Sequence, residues 1–179
     1  LSGAIGPIVG QNAGAGRYDR VRSTLANAVM FNIVYVGFIW LLLVLSADLI
    51  ARTFSASGPA RELILFYCQF LAGAFAFNGL LFIANASFNN LHHAHWATAF
   101  NFGRALLGTI PAVYLGARWY GPRGVMAGEA VGAMLFGVLA ILAAFALVRR
   151  LARQHEPRPP DPAAIPVVES PPLNPVAPL

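Results

Sequence analysis

Charge is scarce in this chain. Of its 179 residues only 11% are charged, less than half the roughly 25% of a typical soluble domain. Such a chain cannot cover a water-facing surface, so a lipid-facing one is expected. Lysine is absent, and all twelve basic residues are Arg. They sit at the ends of apolar runs and not on one face interleaved with aromatics, so the net charge of +5 carries no nucleic-acid meaning. Arg usage alongside abundant Ala and Gly fits a high-GC coding bias. Cysteine is limited to Cys68, inside an apolar run. A single thiol makes no internal disulfide and no Cys-based metal site, and it reads as a small buried residue. There is no signal-peptide layout and no initiator Met. The chain opens inside an apolar, glycine-rich stretch, and the expectation is a chain whose N-terminal part is missing.

What is abundant is apolar length: 58% of residues are hydrophobic. Ser23 to Ala47 is uncharged over 25 residues, and Leu63 to Gly103 over 41. Ala97 to Ala117 is interrupted only by Arg104, and Val125 to Val148 only by Glu129. A bilayer core of about 30 Å needs roughly 20 apolar residues as a helix. Four full spans follow, at about 24–49, 62–90, 97–118 and 124–150, with a partial fifth ending near Val9. The runs are too long for membrane strands and lack alternation, and a helix satisfies its own backbone in lipid. The fold class is therefore an all-α membrane protein. Ser55–Pro59, Asn89–His95 and Gly116–Gly124 are the expected connectors, and Pro111 should kink the third span.

Orientation follows from Arg placement. Residues 17–22 and 149–153 share a side and hold six Arg, against Arg52, Arg61, Arg118 and Arg123 opposite. That bias places 17–22 and the C-terminus in the cytoplasm. From 154 to 179 the chain is dominated by proline, with nine of thirteen between Pro157 and Pro178. A disordered cytoplasmic tail is expected there, after a membrane unit at 1–153.

The stretch Gly10-Gln11-Asn12-Ala13-Gly14-Ala15-Gly16-Arg17 invites two readings. A phosphate cradle requires a preceding strand or a Gly-Lys-[Ser/Thr] ending, and neither is present. Gly6, Gly10 and Gly14 instead recur every four residues, so a second backbone can approach one helix face. Gln11 and Asn12 are then placed to hydrogen-bond at the interfacial end, and Arg17, Arg20 and Arg22 to anchor it in the anionic leaflet.

This stretch, with Asp19-Arg20-Val21-Arg22 after it, resembles the motif that ends the second helix of each half in the multidrug and toxic compound extrusion (MATE) transporters. The resemblance covers residues 1 to about 150 and includes Ala15 in the Gly-Gln-x-x-Gly-Ala core. It implies twelve helices in two six-helix lobes, with this chain running from the end of helix eight through helix twelve. GPRGVMAG, Gly121 to Gly128, looks like the glycine-bearing start of the last helix. The implied activity is efflux of cationic or amphipathic small molecules coupled to H+ or Na+, in a bacterial inner membrane. The implied partners are the bilayer, the N-terminal lobe and the substrate. Some branches of the family carry an Asp in helix ten. Leu63 to Asn90 has no carboxylate here, so no coupling-ion site, no cofactor and no metal are expected from these residues.

Polar side chains inside the spans are the candidate site. Tyr67, Asn78, Asn85 and Asn89 fall within about 40° of arc on an ideal helix. They read as a wall of the substrate cavity, with Asn78 and Asn85 deepest, or as interhelical glue. Phe66, Phe70, Phe75 and Phe77 read as lipid-facing or core. Glu129 is expected to pair with Arg123 or Arg118, or to titrate with a coupling ion. Arg104 is expected to snorkel to headgroups or to meet the Asn-rich connector. His92, His93 and His95 read as solvated loop residues. No nucleophile–base pair or carboxylate dyad lies in the spans, so no enzyme is expected. A lipid-linked oligosaccharide flippase and a non-transporting membrane scaffold remain as alternatives.

The scarcity of charge sets a first prediction. Extracted with detergent the chain is monodisperse on size exclusion, and removing the detergent precipitates it. A chain that stayed monodisperse in plain buffer would falsify the lipid-facing reading.

Overall fold

A computed structural model describes residues 2–155; of the tail expected at 154–179, Gln154 and His155 close the last helix and 156–179 lie outside the described residues. Among the described residues every regular element is helical. Helix α1 (Ser2–Gly14) turns into α2 (Tyr18–Thr53). Next, α3 (Gly58–Phe66) runs through a π turn (Tyr67–Leu71) and a 3-10 turn (Ala72–Ala74) into α4 (Phe75–Asn90). Finally α5 (Ala94–Gly103) passes through a second π turn (Arg104–Thr109) into α6 (Ile110–His155).

Three stretches are long and apolar enough to cross a membrane: Tyr18–Thr53, Gly58–Asn90 and Ala94–His155. The third is two crossings, because Gly121 adopts φ 61, ψ −140 in the middle of α6. Four full membrane helices and a partial fifth result. The connector expected over Gly116–Gly124 is thus a one-residue hinge. Glycine tolerates the positive φ, and Pro122 restarts the helix where its missing N–H costs nothing. The other helices also outrun the expected spans, with α2 covering Tyr18–Thr53 and α6 ending at His155. The hydrophobic run marks only the lipid core, whereas the helices continue through the interface.

Three helix ends share one cap. After α1, Gly16 stands at φ 70, its N–H reaches Ala13 O at 3.0 Å, and Arg17 N–H reaches Asn12 O at 2.8 Å. That pair of bonds is the Schellman arrangement. Ser55 at φ 49 and His92 at φ 61 stand in the same place after α2 and α4, where Ala56 N–H reaches Ala51 O and His93 N–H reaches Phe88 O. The three connectors are short because each is little more than a cap.

Pro111 follows closely on a π turn. The ladder widens just upstream, where Ile110 N–H bonds to Ala105 O five residues back. A proline removes one N–H and crowds the carbonyl four residues before it. A π turn absorbs both with the span unbroken.

Helix α4 is the centre of the packing and touches α1, α2 and the last crossing. Val9, Val21, Leu25, Ile83, Phe88 and Val148 are fully buried around it. The outer face of α2 is apolar and open, with Leu45 75% exposed. Lipid covers such a face, so apolar burial supplies little net attraction between helices and close contact must hold them. The last two crossings show how. Gly108, Ala112 and Gly116 on one leg face Gly132, Gly128 and Gly124 on the other. A Cβ on Gly128 would stand 2.6 Å from the Ala112 carbonyl, and one on Gly124 would overlap the Gly116 carbonyl. Gly137 likewise lies against the backbone of Phe77 on α4. Asn32, 4% exposed, adds an interhelical bond by donating its Nδ2 to Ala76 O at 2.8 Å.

Gly128→Val therefore separates the last two crossings. The expected cost exceeds the roughly 1–3 kcal/mol of ordinary overpacking, because the obstructing atoms are backbone. Thermal unfolding in detergent checks this against Gly14→Ala, which meets no atom within 4 Å and should leave the midpoint within a degree or two.

Candidate functional site

Two π turns and two α-helical segments frame one cavity of about 280 Å³. Tyr67 enters from the first π turn, Asn78 and Phe82 from α4, Arg104 from the start of the second π turn, and Glu129 from the last crossing. Phe75, Leu71 and Met126 complete an apolar lining. A π turn shifts the side chains after it relative to a regular helix, and such turns recur at functional sites. Here both aim polar groups at the same space.

Arg104 does not reach for headgroups or for the Asn89–His95 connector. Its Nη1 donates to Asn78 Oδ1 at 2.7 Å. The reason is position: the π turn lies in mid-span, and Asn78 offers a nearer acceptor than either membrane surface. Nor does Glu129 pair with Arg123 or Arg118. Arg123 reaches Glu62 Oε2 at 2.5 Å and lies 5.9 Å above the Phe66 ring. The Gly121 hinge turns Arg123 back toward α3 while Glu129, two turns further on, faces the cavity. Arg61 pairs with Asp48 at 2.5 Å, and these two are the ion pairs among the described residues. Arg104 and Glu129 thus share a cavity without meeting.

The four residues expected on one face divide. Tyr67 and Asn78 line the cavity above. Asn85 and Asn89 lie in a separate depression of about 360 Å³ beside Gly3, Gly6 and Pro7 of α1. The division falls between Asn78 and Asn85, which lie two turns apart along the regular helix α4 and so stand at different depths, and Phe82 between them borders both spaces. Asn85 Oδ1 is buried without a partner among the described residues. A third space of about 580 Å³ lies on the other side of Phe75, Asn78 and Phe82, walled by Phe31, Asn32 and Tyr35 of α2. The Phe31 and Tyr35 rings stack at 5.8 Å.

The glycine motif also divides. Gly6 and Gly10 admit the Asn90 side chain, which a Cβ on Gly6 would meet at 2.7 Å. Gly14 packs against nothing within 4 Å and instead borders a small opening near Tyr18, His92 and His155. Gln11 and Ala15 are exposed, while Asn12 donates within its own helix to Ile8 O at 2.8 Å. Gln11 and Asn12 stand on the last turn of α1, and Ala15 follows its end. Arg17, Arg20 and Arg22 are exposed around the junction of α1 and α2. The Tyr18 and His155 rings lie 4.9 Å apart, so that junction and the end of α6 share one side of the bundle. Of the histidines, His92 is the cap residue and His93 holds its Nδ1 2.7 Å from Leu91 O.

Sequence reasoning missed Asn32, Phe31, Tyr35 and Phe82. Asn32 is the deeper of two carboxamides, Asn27 and Asn32, inside the uncharged run Ser23–Ala47, and that was the available signal. No pattern distinguishes the three aromatics from lipid-facing ones.

Leucine at Asn78 should leave the Arg104 guanidinium without its acceptor. The expected loss is about 1–3 kcal/mol, as for a hydrogen bond to a charged group. Thermal unfolding of Asn78→Leu against Asn78→Asp, which restores an acceptor, reads it.

The family model described as MatE matches residues 1–115. A curated relative, the FAD transporter of Shewanella oneidensis, is 26% identical over 138 residues, covering 77% of this chain and 30% of that protein. The crystal structure of the Vibrio cholerae MATE transporter VcmN in the bent form superposes with a TM-score of 0.78 at 19% identity. It covers 86% of this chain and 35% of that one. An inward-facing multidrug resistance MATE family transporter of the MOP superfamily gives a TM-score of 0.69 at 18% identity, covering 85% and 36%. The chain spans about a third of the length of these relatives.

Proposed function

The chain belongs to the MatE family, and on that premise we propose that it forms part of a secondary active exporter of cationic or amphipathic small molecules driven by H+ or Na+. The observation that carries the reading is the cavity holding Tyr67, Asn78, Arg104 and Glu129 within the membrane-spanning part of the bundle. Polar and ionisable groups are costly in hydrocarbon and are kept there for a task. Aromatic walls with a few convergent polar groups suit an amphipathic ligand.

The mechanism proposed is alternating access. Two lobes rock about the site, and ion or substrate binding biases which side is open. The rest of the transporter, including an N-terminal lobe, is the implied partner, since the relatives are about three times as long. The membrane proposed is the bacterial plasma membrane. The shared side of Tyr18 and His155, with six Arg around it, is assigned to the cytoplasm. Leu63 to Asn90 carries no carboxylate to hold a coupling ion. Glu129 is the carboxylate at the cavity among the described residues, and the principal coupling acid is assigned to the remainder of the protein.

A second reading, favoured by Arg104, is transport of a nucleotide-like compound, as the name of the Shewanella relative indicates for that protein. A lipid-linked oligosaccharide exporter is less well supported, because one Arg offers little to a pyrophosphate.

Reconstitution tests the proposal. Liposomes holding only this chain are expected to show no substrate-stimulated H+ or Na+ flux, and liposomes holding the chain with a complementary N-terminal lobe should show it. Coupled flux through the chain alone would overturn the assignment as one part of a larger transporter.

A further inference from the structure

The cavity contains one cation and one anion that do not neutralise each other. Arg104 spends one donor on the neutral Asn78 Oδ1 at 2.7 Å. Among the described residues its guanidinium has no other hydrogen bond and no ion pair. A guanidinium carries five N–H donors in a planar fork that matches carboxylate and phosphate oxygens two at a time. The side chain is half-buried and lines the concave space beside Tyr67, Phe75 and Phe82. Asn78 fixes its direction, so little ordering cost remains when a ligand arrives.

From this we infer that Arg104 sets the charge preference of the site, and that the preferred ligand is a small aromatic molecule bearing an oxyanion, either carboxylate or phosphate. The inference rests on the reading of this cavity as a substrate site; of the cationic and amphipathic ligands proposed above it selects amphipathic ones and gives them a negative head group. The aromatic part lies among Tyr67, Phe75 and Phe82, and the oxyanion lies at the Arg104 fork. Glu129 lines the same space and repels the oxyanion, which confines it to the Arg104 side. About 280 Å³ accommodates a one- or two-ring ligand.

The test uses one ring system with four head groups: 2-naphthyl phosphate, 2-naphthoate, 2-naphthol and 2-naphthylmethylammonium. Each is titrated by its own fluorescence into the full chain in detergent. The two oxyanions are expected to bind about tenfold or more tighter than the alcohol, and their order tells phosphate from carboxylate. Arg104→Gln should abolish that difference, and Arg104→Lys should keep part of it. Should Arg104→Gln fail to stay monodisperse, Glu129→Gln serves instead and must strengthen oxyanion binding several-fold. Equal affinity for alcohol and oxyanions, or no effect of these variants on oxyanion binding, overturns the inference. Tightest binding of the ammonium compound overturns it too but leaves the cavity standing as a substrate site. Failure of all four ligands removes both readings.

Discussion

Backbone-to-backbone contact between the last two crossings is the constraint on which the rest depends. In water, a greasy face would suffice to hold two helices together. In lipid the neighbouring tails are as apolar as any leucine, and only a closer fit than lipid can give favours association. Gly108, Ala112 and Gly116 against Gly132, Gly128 and Gly124 supply that fit. The same alignment fixes Arg104 and Glu129 on adjacent legs facing one space. Were the legs a side-chain width further apart, the cavity wall would open to lipid.

Irregularity in the helices is the second device. An unbroken α-helix returns to a given face only at its 3.6-residue repeat, so a polar residue off that phase points elsewhere. The π turns at Tyr67–Leu71 and Arg104–Thr109 relax that rule at two points. Each changes the phase just where a polar side chain joins the site. Pro111 enforces the second, since a ladder that must lose a bond anyway accepts the wider turn. No proline lies in the first, and the Ala72–Ala74 3-10 turn that follows restores part of the rotation.

The polar groups fall into two kinds. Asn32 is buried and bonded to the Ala76 carbonyl, which makes it a fastener between α2 and α4. Arg104, Asn78, Tyr67 and Glu129 line an open space, and the only bond joining any two of them is Arg104 to Asn78. A fastener has its capacity filled by protein. A site keeps part of its capacity for something else, and the unused donors of Arg104 are the clearest case.

By itself the sequence determined the solvent, the helices and their order, because hydrophobic length and glycine, proline and arginine placement are local properties read along one chain. It also determined the family, through the run from Gly10 to Arg22. Which polar residues meet was decided by tertiary structure. Arg104 and Asn78 are 26 residues apart, and their contact depends on how α4 and the second π turn lie against each other. The arc shared by Tyr67, Asn78, Asn85 and Asn89 describes angle alone, and Asn78 and Asn85, two turns apart on the regular part of α4, border different spaces. Glu129 was paired by sequence proximity with Arg123, yet a fold in which Arg123 turns toward Glu62 leaves it facing the cavity. Side-chain partnership is a matter of three-dimensional distance, which a one-dimensional pattern does not specify.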